Sequence, residues 1–371
     1  ETVIKAYTQA NGEWPKQIAL SAWGTSNMRT GGDDLAQALA FIGTRPTWDS
    51  ASRRVTGFEI IPLSELNRPR VDLLLRISGF FRDAFPAQID LLQSAINAVA
   101  ELDENENANP LRAAYLKRKA TLQKEGLEEP IADRRAKARI FGSAHMSYGA
   151  GLKDMIHQGQ WTDREELADQ YIKASSYTYG QAKENETDGK EALEHFKALL
   201  KSTNLVVHHQ DTREFDILDS EDFYQFEGGL SASVESLSGK APEIYHNDHS
   251  NPENPKVQTL SEEIAKIVRG RAANPKWIKS IQRHGSKGAS EILATVTNLS
   301  AFASLTNAVE EHHFESLFEA YLVDEEVRDF LQTSNKPAME EIAKQFSQAI
   351  ERGLWKPKRN SAYHYLETLY S

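Results

Sequence analysis

Residues 17–34 read QIALSAWGTSNMRTGGDD, and this stretch decides the fold. Its first seven residues form an apolar run of strand length, which passes directly into a polar loop that contains glycine. Asp33 or Asp34 is placed to cap a helix that we predict over residues 35–42. Strand, polar loop and helix in this order are typical of an α/β layer, in which ligands bind where strands end and helices begin.

The same order recurs along the chain. Further strands are predicted over residues 55–61, 71–77, 138–141 and 204–207. The run over 71–77 opens into a polar loop and then into a long amphipathic helix that ends near residue 102. Residues 103–137 are charge-dense and typical of a loop with a solvated helix. The sequence therefore predicts an α/β fold with a mixed sheet layer in the N-terminal third and the middle and a mainly helical C-terminal third, divided into residues 1–137, 138–259 and 260–371.

Composition excludes several classes of protein. The formal net charge of −11 argues against a general nucleic-acid or anionic-membrane binder, because both need a cationic face. The absence of cysteine excludes disulfides, thiolate metal sites and cysteine nucleophiles, and it fits a cytoplasmic protein. No apolar run approaches the roughly 20 residues of a membrane span.

Motifs for nucleotide chemistry are missing from the sequence. It contains no G-x-x-x-x-G-K-[ST] loop, so we expect no ATP binding through a P-loop. It also lacks a D-x-S-x-S cation motif, a G-x-S-x-G nucleophile elbow and an H-E-x-x-H zinc motif. Any chemistry must come from other residues.

Four of the eleven histidines fall within 42 residues: His208, His209, His246 and His249. Many Asp and Glu residues, including Asp211, surround them. Imidazole and carboxylate together suit a divalent transition metal that is held loosely enough to be passed on. The alternative is a solvated acidic loop with incidental histidines.

Other candidates are spread along the chain, and each has a plain structural alternative. His284, in a turn flanked by glycine, is either a base or ligand or a helix C-cap. The arginines Arg70, Arg76 and Arg82 either clamp carboxylates or are ordinary surface residues. Aromatic residues such as Tyr148 and Trp277 either line a flat macrocycle or belong to the core.

Several strings of the sequence resemble the cobaltochelatase large subunit (CobN family) and, more distantly, the H subunit of magnesium chelatase. They occur in the family's order over nearly the whole chain: WGTSNMRTGGDD at 23–34, RPRVD at 68–72, RISGFFRDAFP at 76–86, FGS at 141–143, YGAGL at 148–152, LDSEDFYQFEGGL at 218–230, NPKWI at 274–278 and RHGSKG at 283–288. The resemblance is to the C-terminal part of a much longer subunit. With Glu1 as the first residue, it predicts that an N-terminal portion lies outside this sequence.

The resemblance implies a function. It implies the ring-binding subunit of an ATP-dependent cobaltochelatase that inserts Co2+, as substrate, into hydrogenobyrinic acid a,c-diamide during cobalamin (vitamin B12) biosynthesis. ATP and Mg2+ would be bound by a AAA+ ATPase subunit and its companion subunit, not by this chain. We assign candidate residues on this basis: His208, His284 and Glu291 for catalysis, His208, Asp211 and His284 for the metal, and Arg70, Ser78, Arg82, Lys276 and Trp277 for the ring.

The chain also departs from the family strings. It has His209 where the family usually has Asn, Phe215 where a His is common, and Ser286 where an aromatic residue is usual. The residues before Tyr148 also differ from the family's. These departures leave open a magnesium or other metal chelatase that acts on a porphyrin. A non-catalytic docking module for the AAA+ partner is a further alternative, as is an unrelated metal-binding protein.

Overall fold

The computed structural model describes residues 1–181 and 188–370. Its strands are β1 Gln17–Ala22, β2 Thr44–Trp48, β3 Val55–Ile60, β4 Asp72–Ile77, β5 Ile140–Gly142, β6 Tyr177–Thr178, β7 Lys190–Glu191, β8 Leu205–Gln210 and β9 Glu243–Asp248. Seven of these form one sheet in the order β7-β6-β5-β4-β1-β8-β9, and β2 and β3 form a separate antiparallel hairpin. Within the sheet β5, β4, β1, β8 and β9 are parallel, while β6 is antiparallel to both of its neighbours.

Helices surround the sheet and form the C-terminal third. They are α1 Thr2–Asn11, α2 Gly24–Thr30, α3 Asp33–Phe41, α4 Leu63–Leu66, α5 Gly79–Ala84, α6 Pro86–Glu101, α7 Pro110–Lys124, α8 Glu129–Ala136, α9 Lys153–Gln158, α10 Arg164–Ser175, α11 Leu193–Ser202, α12 Glu221–Phe223, α13 Gly229–Ser238, α14 Leu260–Ile267, α15 Pro275–Gln282, α16 Ser286–Leu305, α17 Glu311–Phe318, α18 Glu325–Ser334, α19 Lys336–Glu351 and α20 Ser361–Tyr370. Three π-helical segments, Tyr224–Gly228, Val268–Ala272 and Glu319–Val323, continue α12, α14 and α17. No helix in the described part of the chain is both long and apolar enough to cross a bilayer.

The central strands are buried on both faces. All six residues of β1, of β4 and of β8 are buried, as expected of parallel strands covered by helices on both sides. On one face Ala19, Leu74 and Val206 pack against the C-terminal helices. On the other face Leu20 and Leu75 pack with α3 and α6.

The α/β fold with a mixed sheet and a mainly helical C-terminal third is confirmed. Four details of the prediction were wrong. The polar loops predicted after β1 and β4 contain the short helices α2 and α5. The strand over 55–61 exists but lies in the hairpin outside the main sheet. Residues 103–137 contain two helices, α7 and α8, and the strand predicted to end at residue 207 continues to Gln210. Strands from both sides of residue 137 share the sheet, and the division into three regions stays a prediction.

Candidate functional site

The sheet reverses its winding direction between β1 and β8. From β1 the chain builds outward through β4 and β5 on one side, and it then returns to β8 and β9 on the other side. Ligands of open parallel sheets bind at the carboxyl ends of the strands at such a point. Trp23, directly after β1, and His208, near the end of β8, meet there with ring centroids 4.7 Å apart.

Two histidines lie side by side at this position. The register of β8 and β9 pairs His208 with His246, so both side chains project from the same face of the sheet. Their rings are nearly parallel, at 13° and 5.6 Å between centroids. His208 is fully buried, and neither ring nitrogen has a hydrogen-bond partner among the described residues. Burial, with His246 and His209 nearby, holds the pKa of His208 well below its usual value, so this imidazole is neutral and has a free lone pair.

Hydrogen bonds fix the second ring. The Nδ1 atom of His246 lies 3.0 Å from Oε2 of Glu227, and its Nε2 atom lies 3.2 Å from Oε1 of Gln210. Gln210 cannot turn its amide group over, because its Nε2 donates to the Phe215 carbonyl at 2.7 Å and its Oε1 accepts from Arg213 at 3.2 Å. His246 therefore donates through Nε2, and Nδ1 shares a proton with the Glu227 carboxyl group.

A π-helical segment, Tyr224–Gly228, carries Glu227 to the site. Such segments are rare and often occur at functional sites. The next residue, Gly229, permits the close packing that this needs, because a Cβ atom there would overlap the ring of Tyr171. Glu227 is fully buried, and its second carboxylate oxygen has no partner in the described structure.

A second pair of histidines lies on the opposite face of the sheet. His209 bonds to Asp34, and His249 lies 3.2 Å from Asp33. The two imidazole rings contact each other with centroids 4.3 Å apart. The two aspartates were predicted to cap a helix, but α3 begins at Asp33 without a side-chain cap, and both carboxylates face the histidines instead.

The three predicted metal ligands are not brought together. Asp211 follows β8, but its carboxylate is held by Arg29 in an ion pair. His284 is exposed in the turn between α15 and α16. Among the residues that the structure describes, no group of three His, Asp or Glu side chains is arranged to hold a metal ion. The site therefore offers individual imidazole and carboxylate groups and no closed coordination sphere.

Two of the predicted ring contacts lie at the carboxyl ends of the strands. The Ser78 hydroxyl follows β4 and accepts from the Phe81 amide at 3.1 Å, which caps α5. Arg82 is buried, bonded to Asp83 and to the loop after β5. Arg70 precedes β4 at the opposite end of the strand, where it is paired with Glu104 at 2.7 Å. The structure thus places Ser78 and Arg82 near the site and Arg70 away from it.

The remaining candidates lie in the helical third. Lys276 is exposed, and Trp277 is half-buried with the guanidinium group of Arg271 4.9 Å from its ring centroid. Glu291 is half-buried, and its charge contributes to the raised pKa of Asp219, for which burial is the main cause. Asp219 lines a cleft of about 400 Å³ with His157, Glu221 and Glu341.

Sequence reasoning missed Glu227, Gln210 and Trp23 as site residues. Glu227 and Trp23 belong to strings that resemble the chelatase family, which was the available signal. Nothing local marks Gln210 as a partner of His246, because 36 residues separate the two along the chain. Their contact depends on the parallel pairing of β8 and β9.

Comparison with known proteins identifies the relatives of this chain. A model of the CobN/Magnesium Chelatase family matches residues 1–362. The chain is 51% identical over 362 residues to the aerobic cobaltochelatase subunit CobN of Sinorhizobium sp, an alignment that covers 98% of this chain and 28% of that protein. It is 46% identical to the same subunit of Pseudomonas aeruginosa, over 95% of this chain and 28% of that protein. The H subunit of the magnesium chelatase of Rhodobacter capsulatus is 32% identical over 92% of this chain and 28% of that protein.

A solved structure gives the same result. The catalytic subunit of cobaltochelatase from Mycobacterium tuberculosis superimposes with a TM-score of 0.93 at 38% identity, covering 99% of this chain and 30% of that one. The chain spans little more than a quarter of the length of these relatives.

Proposed function

This chain belongs to the CobN/Magnesium Chelatase family, and from that premise we propose that it is part of the ring-binding subunit of a cobaltochelatase. The substrates would be Co2+ and hydrogenobyrinic acid a,c-diamide, in cobalamin biosynthesis. Identity favours cobalt over magnesium, because the cobaltochelatase relatives are 46–51% identical and the magnesium relative is 32% identical. The cytoplasmic location stays a prediction.

One observation carries the proposal: a neutral His208, which has no hydrogen-bond partner among the described residues, lies beside a hydrogen-bonded His246–Glu227 pair at the reversal point of the sheet. Metal insertion needs an imidazole or carboxylate ligand that replaces water on the cation, and a base that takes the pyrrolic protons. In our proposal His208 supplies the first, and the His246–Glu227 pair supplies the second. His284, Glu291 and Asp211 stay predictions for the same two roles.

Access to His208 requires a movement. Trp23 packs edge-on against its ring, and both ring nitrogens are closed off from solvent. We propose that ATP hydrolysis on a AAA+ partner, with its companion subunit, drives an opening that uncovers this imidazole. ATP and Mg2+ would be bound by those subunits, and the chain alone would be inactive.

Two alternatives remain. The same architecture could serve a magnesium or other metal chelatase that acts on a porphyrin, which the 32% identity to a magnesium-chelatase relative supports. The chain could also be a docking module for the AAA+ partner that does not contact the ring.

The test uses the complete subunit with its partners. Cobalt insertion and ring affinity are measured for His208→Ala, for His284→Ala and for the unmodified subunit. We expect His208→Ala to stop insertion while the ring still binds, and His284→Ala to slow insertion. Turnover with Mg2+ but not with Co2+ would favour the first alternative. Unchanged turnover in both variants would overturn the residue assignment, and unchanged ring affinity after deletion of residues 1–371 would favour the docking module.

A further inference from the structure

An exposed apolar surface lies beside the candidate site. Its members are Met28, Phe80, Met146 and Tyr148, which we call the apolar shelf; their exposed fractions are 62, 41, 88 and 65%. These are four of the ten large hydrophobic side chains that are exposed in the described part of the chain. Each follows a parallel strand, β1, β4 or β5, so all four belong to the carboxyl edge of the sheet, where ligands bind.

Two glycines allow the aromatic members of the shelf to pack closely on the backbone. A Cβ atom on Gly24 would lie 2.6 Å from the Phe80 ring, and one on Gly79 would lie 2.5 Å from the Tyr148 ring. The aromatic rings therefore rest directly on the backbone of the first turns of α2 and α5. Met28, four residues after Gly24 in α2, lies on the same helix face and extends the surface.

The loop that carries Met146 and Tyr148 is held rigidly. The Arg82 guanidinium donates to the Ala144 carbonyl at 2.8 Å and to the Ser147 carbonyl at 3.2 Å. Arg76 donates to the Gly149 carbonyl at 3.0 Å. Met146 itself has a positive φ of 64°, which is unfavourable for a side chain of this type. A strained loop that is fixed by hydrogen bonds from Arg76 and Arg82 and presents apolar side chains to solvent is preorganised for binding.

Two guanidinium groups lie beneath the shelf. Arg76 is fully buried and makes no ion pair with a carboxylate in the part of the chain that is described. Arg82 is paired with Asp83 at 2.6 Å, and its guanidinium lies 5.4 Å from the centroid of the Tyr148 ring. Asp83 pairs with one of the two guanidinium groups, and the Tyr148 hydroxyl donates to the same carboxylate at 2.7 Å. An anion above the shelf would offset the cost of the unpaired cation.

We infer that the apolar shelf binds one face of a flat tetrapyrrole-type macrocycle whose rim carries carboxylate groups. The identity of this ligand rests on the proposed function. Position supports it: Gly24, on which Phe80 rests, directly follows Trp23, which packs against His208 at 4.7 Å. A ring that lies on the shelf would point its edge toward the buried imidazole. Phe80 and Tyr148 would be substrate-contacting residues, and Arg76 and Arg82 positioning residues.

The experiment measures binding of deuteroporphyrin, a dicarboxylate, and of its uncharged dimethyl ester to the complete subunit by the shift of their visible absorption. Loss of a stacked aromatic ring weakens binding of a flat ligand about 10-fold. We therefore expect Tyr148→Ala and Phe80→Ala each to raise Kd for the dicarboxylate about 10-fold. Gly79→Ala, which displaces the Tyr148 ring without removing it, should act in the same direction. Tyr148→Phe keeps the ring but loses its bond to Asp83, so it should raise Kd less than Tyr148→Ala does. The diester should bind more weakly than the dicarboxylate.

The control is Tyr363→Ala, because Tyr363 is as exposed as Phe80, at 41%, but lies on α20. Its Kd should not change. If the unmodified subunit binds neither porphyrin, the shelf inference fails, and the proposed function is tested separately by binding of hydrogenobyrinic acid a,c-diamide. If the unmodified subunit binds but all shelf variants bind equally well, the shelf inference fails and the proposed function stands. A loss of thermal stability in the Ala variants with unchanged Kd would mean that the shelf packs against another part of the protein, which would also overturn the inference.

Discussion

Two substitutions of Glu227 separate its structural contribution from its chemical one. Its carboxylate is fully buried, and one oxygen lies 3.0 Å from Nδ1 of His246. Glu227→Gln keeps the shape and supplies an amide that still bonds to Nδ1. Glu227→Leu leaves Nδ1 buried without a partner, which costs about 1–3 kcal/mol. Because Glu227→Gln keeps a hydrogen-bonding partner of similar shape, it should be close to neutral in free energy.

The expected results therefore differ between stability and activity. Denaturant unfolding should show that Glu227→Gln changes the free energy of unfolding by less than about 1 kcal/mol, while Glu227→Leu lowers it by about 1–3 kcal/mol. Cobalt insertion at saturating ring concentration should fall in both variants by about 10²–10⁴-fold, the usual contribution of a general base. The reasoning would be refuted if Glu227→Gln inserted cobalt at the unmodified rate. It would also be refuted if both variants lost stability equally.

Two further predictions concern buried groups outside the site. Burial, with the nearby charge of Arg139, lowers the pKa of His195 to about 3. The unfolded chain takes up this proton near pH 6.5 whereas the folded chain does not, so stability is lost as the pH falls below 6.5, by about 2 kcal/mol at pH 5. Denaturation at pH 7 and pH 5 should show that His195→Gln lowers the difference between the two free energies of unfolding by about 2 kcal/mol, while other buried groups such as His208 account for the remainder, and an unchanged difference would contradict the assignment. Arg70→Met should lower the free energy of unfolding by about 3–5 kcal/mol, because it breaks a buried pair with Glu104, and should leave ring affinity unchanged. The exposed pair of Arg45 is the control, since Arg45→Met should leave the free energy of unfolding nearly unchanged. A weaker ring affinity in Arg70→Met would return Arg70 to the site.

The sequence predicted the architecture well because apolar runs bounded by polar loops identify buried strands. The stretch that opens with Gln17 gave β1 and α3 within one or two residues, but the loop predicted between them contains the helix α2. The hairpin strand Val55–Ile60 shows the limit of this reasoning, because an apolar run does not reveal which sheet it joins. The polar end of β8 was missed for a related reason. The His208 and His209 side chains are polar, but the structure buries them on the two faces of the sheet.

The site could be predicted only in part. The four clustered histidines were identified, but they divide into two pairs on opposite faces of the sheet, since His208 and His209 are consecutive residues of one strand. Their carboxylate partners could not be assigned from spacing, because Asp34 lies 175 residues before His209. Arginines were also misleading. Local sequence does not distinguish a buried arginine that holds a loop, such as Arg82, from an arginine that is free to bind a ligand.

Anomalous diffraction at the cobalt edge tests the central claim most directly. The complete subunit would be crystallised with its partner subunits after ATP-driven turnover in the presence of Co2+ and the ring substrate, and the anomalous peak would be located. We predict a peak about 2 Å from a ring nitrogen of His208, the usual distance between a metal and an imidazole. A peak elsewhere, for example in the cleft lined by Asp219 and Glu341, with His208 still covered by Trp23, would contradict the assignment of the buried histidine pair as the place where metal and ring meet.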